Sequence, residues 1–227
     1  MIRRVILPIC CTNHPKPGVL FLRLSILIVV LNILIPGLSF ANKPGLTNFP
    51  GNYINPFNGR DLTGWCYLDE KNEKVILESF DGKNESADNR FTGKEGILAI
   101  NPWDEAKGPH WITLWTKQEY TGDFSLTIEL RASVNADSGI FLHGKQLQCR
   151  DYLVAGPYKQ LKKYKAQDWN KIKVIVKNNI ARCTCNGGVL EEAFEIPRSG
   201  RFGIEADRGL MEYRNIRIKT LKQRVEY

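Results

Sequence analysis

D-F-S-L-T-I-E-L-R-A, residues 123–132, alternates apolar and polar side chains without a break. In an extended chain Phe124, Leu126, Ile128 and Leu130 take one face, and Ser125, Thr127, Glu129 and Arg131 take the other. This is the pattern of a strand buried on one side only. A slip of one residue would drive Glu129 and Arg131 into the core, so the register is firmly specified. Shorter runs of the same texture flank it: Gly96–Ile100, Trp111–Trp115, Gly139–His143, Gln146–Arg150, Lys171–Lys177, Ile180–Cys185, Arg201–Glu205 and Met211–Leu221. Asn178-Asn179 predicts a tight hairpin, because asparagine tolerates positive φ, and Asn186-Gly187-Gly188 predicts the next. No stretch from Phe57 onward carries a helical period. Many short antiparallel strands without α-crossovers predict an all-β fold, a two-sheet jelly-roll sandwich spanning Phe57 to Leu221, with a short tail at 222–227.

The first 41 residues read as an export signal and are set apart from the fold. Arg3, Arg4, Lys16 and Arg23 precede the uncharged apolar run Leu24–Ile35, Pro36-Gly37 breaks it, and Ser39-Phe40-Ala41 offers small residues at a cleavage site. The run is short for a bilayer span, which takes about 20 apolar residues. The mature chain is therefore expected outside the cytoplasm, at a membrane only if this segment stays uncleaved. Residues 42–56, rich in Pro, Gly and Asn, read as a linker or N-terminal arm. Removing residues 1–41 takes four basic residues and no acidic ones, so the formal charge falls from +8 to +4. The remaining basic cluster, Lys159, Lys162, Lys163 and Lys165, reads as a solvated loop rather than a nucleic-acid surface, which commits more charge to one face.

Cys66, Cys149, Cys183 and Cys185 remain in the mature chain, and four cysteines allow three disulfide pairings. Cys183 and Cys185 share a strand face and are poor partners for each other. A C-x-C without a neighbouring histidine is not a zinc spacing. The chain also lacks a Walker loop, a dinucleotide fingerprint and a nucleophile elbow.

Further motifs stand in a fixed order: F-N-G-R-D-L-T-G-W at 57–65, D-F-S-L-T-I-E-L-R at 123–131, D-S-G-I-F at 137–141, W-N at 169–170, G-R-F-G-I-E at 200–205 and E-Y-R-N-I-R-I at 212–218. Together they resemble the 3-keto-disaccharide hydrolases, formerly grouped as DUF1080 domains and also described as 3-keto-glucoside lyase/hydratase domains. The resemblance implies a concanavalin A-like sandwich with its ligand on a concave sheet face. It also implies action on glycosides already oxidised at C3. A ketone at C3 acidifies the proton on C2, so such an enzyme needs a base against C2, a donor or cation at the C3 oxygen, and an acid for the leaving oxygen. It does not need the close carboxylate pair of oxocarbenium glycosidases. The alternative is a lectin-like module of the same fold that binds glycans without turnover.

For these roles the resemblance and the strand faces nominate Glu205, His143, Arg131 and Glu129 as catalytic residues, with Glu205 as the base and Arg131 or His143 on the enolate oxygen. Gln146, Gln148, Asp151 and Asp207 are the substrate-binding candidates, and Glu129, Arg131, His143, Gln148 and Glu205 are expected to converge on one concave pocket. Members of the family usually carry Glu where this chain has Gln146, and Gln where it has Glu205. The two changes either swap the carboxylate between neighbouring strands or mark a drifted site. No cofactor is specified, and a divalent metal is compatible with the chemistry. His110 is a further loop histidine. Trp103, Trp111 and Trp115 are core or sugar-stacking residues, while Trp65 and Trp169 are expected in the core.

Overall fold

Two antiparallel sheets face each other in the computed structural model, which describes residues 53–221 apart from 70, 73, 105, 109, 155–157 and 159. Among the described residues the strands run in chain order as β1 (Tyr53–Ile54), β2 (Trp65–Leu68), β3 (Ile76–Ser79), β4 (Phe91–Lys94), β5 (Ile97–Ile100), β6 (Ile112–Thr121) and β7 (Phe124–Ala132). They continue as β8 (Asp137–Leu142), β9 (Lys145–Arg150), β10 (Asn170–Lys177), β11 (Ile180–Cys185), β12 (Gly188–Glu195), β13 (Ser199–Arg208) and β14 (Met211–Thr220). The first sheet has the order β12-β11-β10-β7-β14-β5-β4, with β1 added on β14, and the second β3-β2-β6-β13-β8-β9. The expected all-β sandwich is therefore the fold observed.

The alternation in β7 determines how the sheets meet. Leu126, Ile128 and Leu130 are fully buried between them, with Ile172 and Val174 of β10 beside them and Leu114, Ile140 and Ile204 among the buried residues of the second sheet. Burial of this apolar area is the main driving force for closing the sandwich, about 25 cal/mol per Å². Both asparagine hairpins form as the sequence predicts. Asn178 and Asn179 have φ of 49° and 66° between β10 and β11, and Asn186 and Gly187 have φ of 49° and 82° between β11 and β12.

Two expectations need correction, and the open question of the cysteines is answered. Tyr53–Ile54, read as part of the arm, pairs with Ile218 and Lys219 of β14, so the sheet begins before Phe57. Trp169 is not core: its ring lies on the outer face of the first sheet, with the guanidinium of Arg214 at 3.8 Å and that of Arg131 at 4.8 Å. Among the described residues the four cysteines form no bridge, and all are buried free thiols. Burial pushes the thiols of Cys149, Cys183 and Cys185 up to about 12, so they behave as apolar core residues. Trp65 is core, as expected. The segment read as an export signal, the arm up to residue 52, Lys159 and the tail at 222–227 lie outside the described residues. Among the described residues no helix is long and apolar enough to cross a membrane.

Candidate active site

Period two decides which side chains meet on the outer face of the second sheet. In β13, Phe202, Ile204 and Ala206 point into the core, so Gly203, Glu205 and Asp207 point out. In β8 the outward positions are Asp137, Gly139 and Phe141, and in β9 they are Gln146, Gln148 and Arg150. Register aligns these into rows. Trp115, Gly203, Phe141 and Gln146 form one row, and Thr113, Glu205, Gly139 and Gln148 the next.

The two glycines are there because large side chains lie over them. A Cβ at Gly203 would stand 2.6 Å from the indole of Trp115, whose ring packs on Phe141 at 4.9 Å. A Cβ at Gly139 would collide with the side-chain amide of Gln146. Gln146 thus reaches from β9 across bare β8 and donates to Glu205 Oε2 on β13. Two positions at which the chain departs from the pattern of the family it resembles are thus hydrogen-bonded to each other.

Glu205 is half-buried. Burial pushes its carboxyl above the ordinary range, the charges of Asp207 and Asp137 push it further, and the Gln146 amide holds it back. Its backbone is anchored from below. Ser138 Oγ donates to the Glu205 carbonyl at 2.6 Å, which leaves the Tyr213 hydroxyl, 2.7 Å away, to donate to Ser138. This bridge ties the strand under Glu205 to the opposite sheet. Beside it, Asp137 accepts from Arg150 Nη2 at 2.6 Å, from Arg208 Nη2 at 3.4 Å and from the Gln148 amide. On the other side, Asp207 Oδ1 lies 3.6 Å from His110 Nε2. Buried Arg90 clamps that corner, donating to the carbonyls of Asn101, His110 and Asp207 at 2.6, 2.9 and 2.8 Å. At the opposite end of the face, Trp115, Leu68, Lys71, Asn72, Lys74 and Arg201 are among the residues lining a cavity of about 390 Å³.

Glu205, Gln146, Gln148 and Asp207 therefore share one face. The other four nominated residues do not join them, and the single pocket expected from the sequence is not what forms. Glu129 and Arg131 lie on the outer face of the other sheet, paired with Arg214 and Glu212 of β14. They form the cross-strand ladder that opposite charges favour. His143 occupies the β8–β9 turn with φ of 51°, and its ring turns inward onto Phe124 at 5.1 Å. Its Nδ1 meets the Pro197 carbonyl at 2.8 Å, Nε2 is buried without a partner, and burial lowers its pKa. Asp151 is buried just past the end of β9, holding the Asn135 backbone at 3.1 Å and Gln167 at 3.3 Å. Sequence reasoning missed Asp137 and Arg150. Asp137 carried a usable signal, since it stands two residues before Gly139 and four before Phe141.

Gly139→Ala tests whether the bare position matters. The clash is with the Gln146 side chain alone, from Cγ to Nε2, and not with backbone, so the fold should survive while the amide is pushed off Glu205. Without that hydrogen bond the Glu205 carboxyl rises further, and the acid limb of the pH–activity profile moves to higher pH. An unmoved limb would show that the amide does not tune Glu205.

Among the described residues no group of three or more His, Cys, Asp and Glu is placed to hold a metal ion, and Asp137 is already committed to two arginines.

A family model described as a 3-keto-alpha-glucoside-1,2-lyase-like domain matches residues 52–219. Among solved structures, a protein provisionally called a glycosyl hydrolase from Parabacteroides distasonis aligns with a TM-score of 0.53 and 15% identity. The alignment covers 75% of this chain and 94% of that one. A second protein of the same provisional description and organism aligns with a TM-score of 0.48 and 19% identity, over 69% and 99% of the two chains. At these identities the first likeness shows the fold. The search of curated proteins finds no match.

Proposed function

The chain belongs to the family of 3-keto-alpha-glucoside-1,2-lyase-like domains, and from that premise we propose that it is an exported enzyme cleaving 3-keto-glycosides by C2 deprotonation, elimination and hydration. The observation that carries this reading is the Glu205–Gln146 pair at the centre of an outward sheet face, straddling a glycine. A carboxylate whose affinity for protons is raised above the ordinary range is better suited to take a proton from carbon at neutral pH.

Glu205 removes the C2 proton, and the electron pair moves into the C3 carbonyl to give the enolate. The enolate reforms the ketone as the C1–O bond breaks, and the leaving oxygen takes a proton. His110, whose Nε2 lies 3.6 Å from Asp207 Oδ1, is the donor assigned to that transfer in this reading. Water then adds at C1 of the enone-like glycal while C2 regains a proton, so the net reaction is hydrolysis. Cationic charge for the enolate oxygen comes from Arg150 and Arg208, in place of Arg131 and His143. Gln148 is positioned to orient a sugar hydroxyl.

Incubation with a 3-keto-glucoside, with and without divalent metals, should release the aglycone. Binding without release would make the domain a lectin-like module instead. The basic lead and the Ser39-Phe40-Ala41 site support the export part of this reading. Sequencing of secreted material should begin near Asn42, and material beginning at Met1 would overturn that part of the reading.

A further inference from the structure

The outer face of the first sheet, turned away from Glu205, gathers positive charge. Period two points Lys171 and Lys173 of β10 outward, roughly 7 Å apart along the strand, while Ile172 and Val174 fill the core. Lys163 and Lys165 join them from the preceding loop, and with Thr184 these four lysines line a depression of about 700 Å³. Lys171 also borders a second depression, of about 120 Å³, shared with Thr127, Glu129, Asn215 and Arg217. The two meet at Lys171 and form a groove that crosses β11, β10, β7 and β14. At the usual strand spacing that is a path of roughly 14 Å.

The lysines are held in place by two asparagines. Fully buried Asn170 accepts from the Lys165 N–H at 2.8 Å and donates to the Lys165 carbonyl at 2.7 Å. Asn186 donates to the Lys163 carbonyl and to Asn170 Oδ1, and accepts from the Lys171 N–H, each at 2.8 Å. The loop is thereby fastened to the sheet with its cations gathered on one side. Their charge is not neutralised from within. Among the described residues Lys163, Lys171, Lys173 and Arg217 make no ion pair, and Lys165 has only Asp168 at 3.9 Å. Glu129, the one carboxylate lining the groove among the described residues, is committed to Arg214 at 2.8 Å. Like charges set side by side on a sheet destabilise it, and an anion in the groove would relieve them.

We propose that this groove binds an acidic polysaccharide, with carboxylates on the lysines and Arg217 and sugar hydroxyls on Thr127 and Asn215. Single-stranded nucleic acid offers the same charge but is gripped by stacking its bases on aromatic rings. Among the described residues no aromatic ring lines either depression. A lipid surface calls for exposed apolar side chains that can insert, and the only large apolar residue in the lining is Ile128, which is fully buried.

Affinity electrophoresis through polygalacturonate tests the groove, with neutral dextran as the control. The parent should be retarded by polygalacturonate and not by dextran. Retardation should vanish in 1 M salt, where screening leaves charges a reach of about 3 Å. Lys171→Gln/Lys173→Gln should weaken binding about tenfold, which corresponds to about 1.4 kcal/mol, the scale of two exposed ion pairs. Lys83→Gln/Lys107→Gln removes the same charge elsewhere on the surface and should leave binding unchanged. Aglycone release from a 3-keto-glucoside should be unaffected in the groove variant, so the groove and the reaction are judged separately. Equal weakening by the two double variants would reduce the effect to net charge and overturn the groove. No retardation of the parent would overturn it as well. Tighter binding to single-stranded DNA or to phosphatidylglycerol vesicles than to polygalacturonate would overturn the choice of partner.

Discussion

Glu205→Gln lowers turnover of a 3-keto-glucoside by roughly 10²–10⁴-fold, the usual cost of losing a general base, and at the same time raises the melting temperature at neutral pH. Both effects have the same origin. Burial and the charges of Asp207 and Asp137 make Glu205 bind its proton more tightly in the folded chain than in the unfolded one. Between the two pKa values the folded state holds more protons, so stability falls as pH rises through the folded pKa, and the deficit persists above it. The amide variant has no such titration. Its thermal unfolding should exceed the parent's at neutral pH and converge with it under acid conditions, where both side chains are neutral. In the parent, activity should fall with acidification at a pH above the ordinary carboxylate range. Melting curves across pH together with turnover provide the check. Turnover equal to the parent's would remove Glu205 from the role of base, and a variant no more stable at neutral pH would remove its raised proton affinity.

Asp137→Ala has the largest expected effect on stability. The side chains of Asp137 and Arg150 are only 10% and 13% exposed, and Arg208 adds a second cation to the same carboxylate. Removing one partner of a buried pair leaves an uncompensated charge, at a cost of about 3–5 kcal/mol. That is a large share of the 5–15 kcal/mol typical of a whole domain. Asp137→Asn keeps an acceptor for Gln148 and should cost less. Because the Asp137 charge helps to raise Glu205, the Asn variant should also shift the acid limb of activity to lower pH. Urea unfolding measures the first effect and a pH–rate profile the second. A limb that stays in place would mean that Asp137 supports the face mechanically and not electrostatically.

What the sequence could reveal follows the range of the interactions involved. The alternation in β7 and the asparagine turns are local, and both form as read. β2 escaped notice because all four of its residues are buried and it does not alternate. β3 and β4 are too short to show a period. At the site, the motifs brought Glu205 and Gln146 into view, but their contact depends on pairing between strands 59 residues apart in the chain. Nothing local says which of two solvent-facing sheet surfaces a polar residue occupies. Glu129 and Glu205 are each polar positions on an alternating strand, yet they lie on opposite outer faces. Asp151 is different, because parity alone already separates it from Gln146 and Gln148. His143 was misplaced for a backbone reason: positive φ in the turn ends the alternation and lets the ring turn inward.

The Gln146–Glu205 contact also constrains how such a site can have changed over generations. Codons for Glu and Gln differ at a single base, so moving the carboxylate from the β9 position to the β13 position takes two steps. One route passes through two amides and leaves the site without a base. The other passes through two carboxylates in contact, which hold one proton between them and still present an ionisable group. A lineage that moved the carboxylate under selection for turnover would be confined to the second route, whose midpoint carries Glu at both 146 and 205. The bare backbone of Gly139 leaves the space in which either strand can supply the charge.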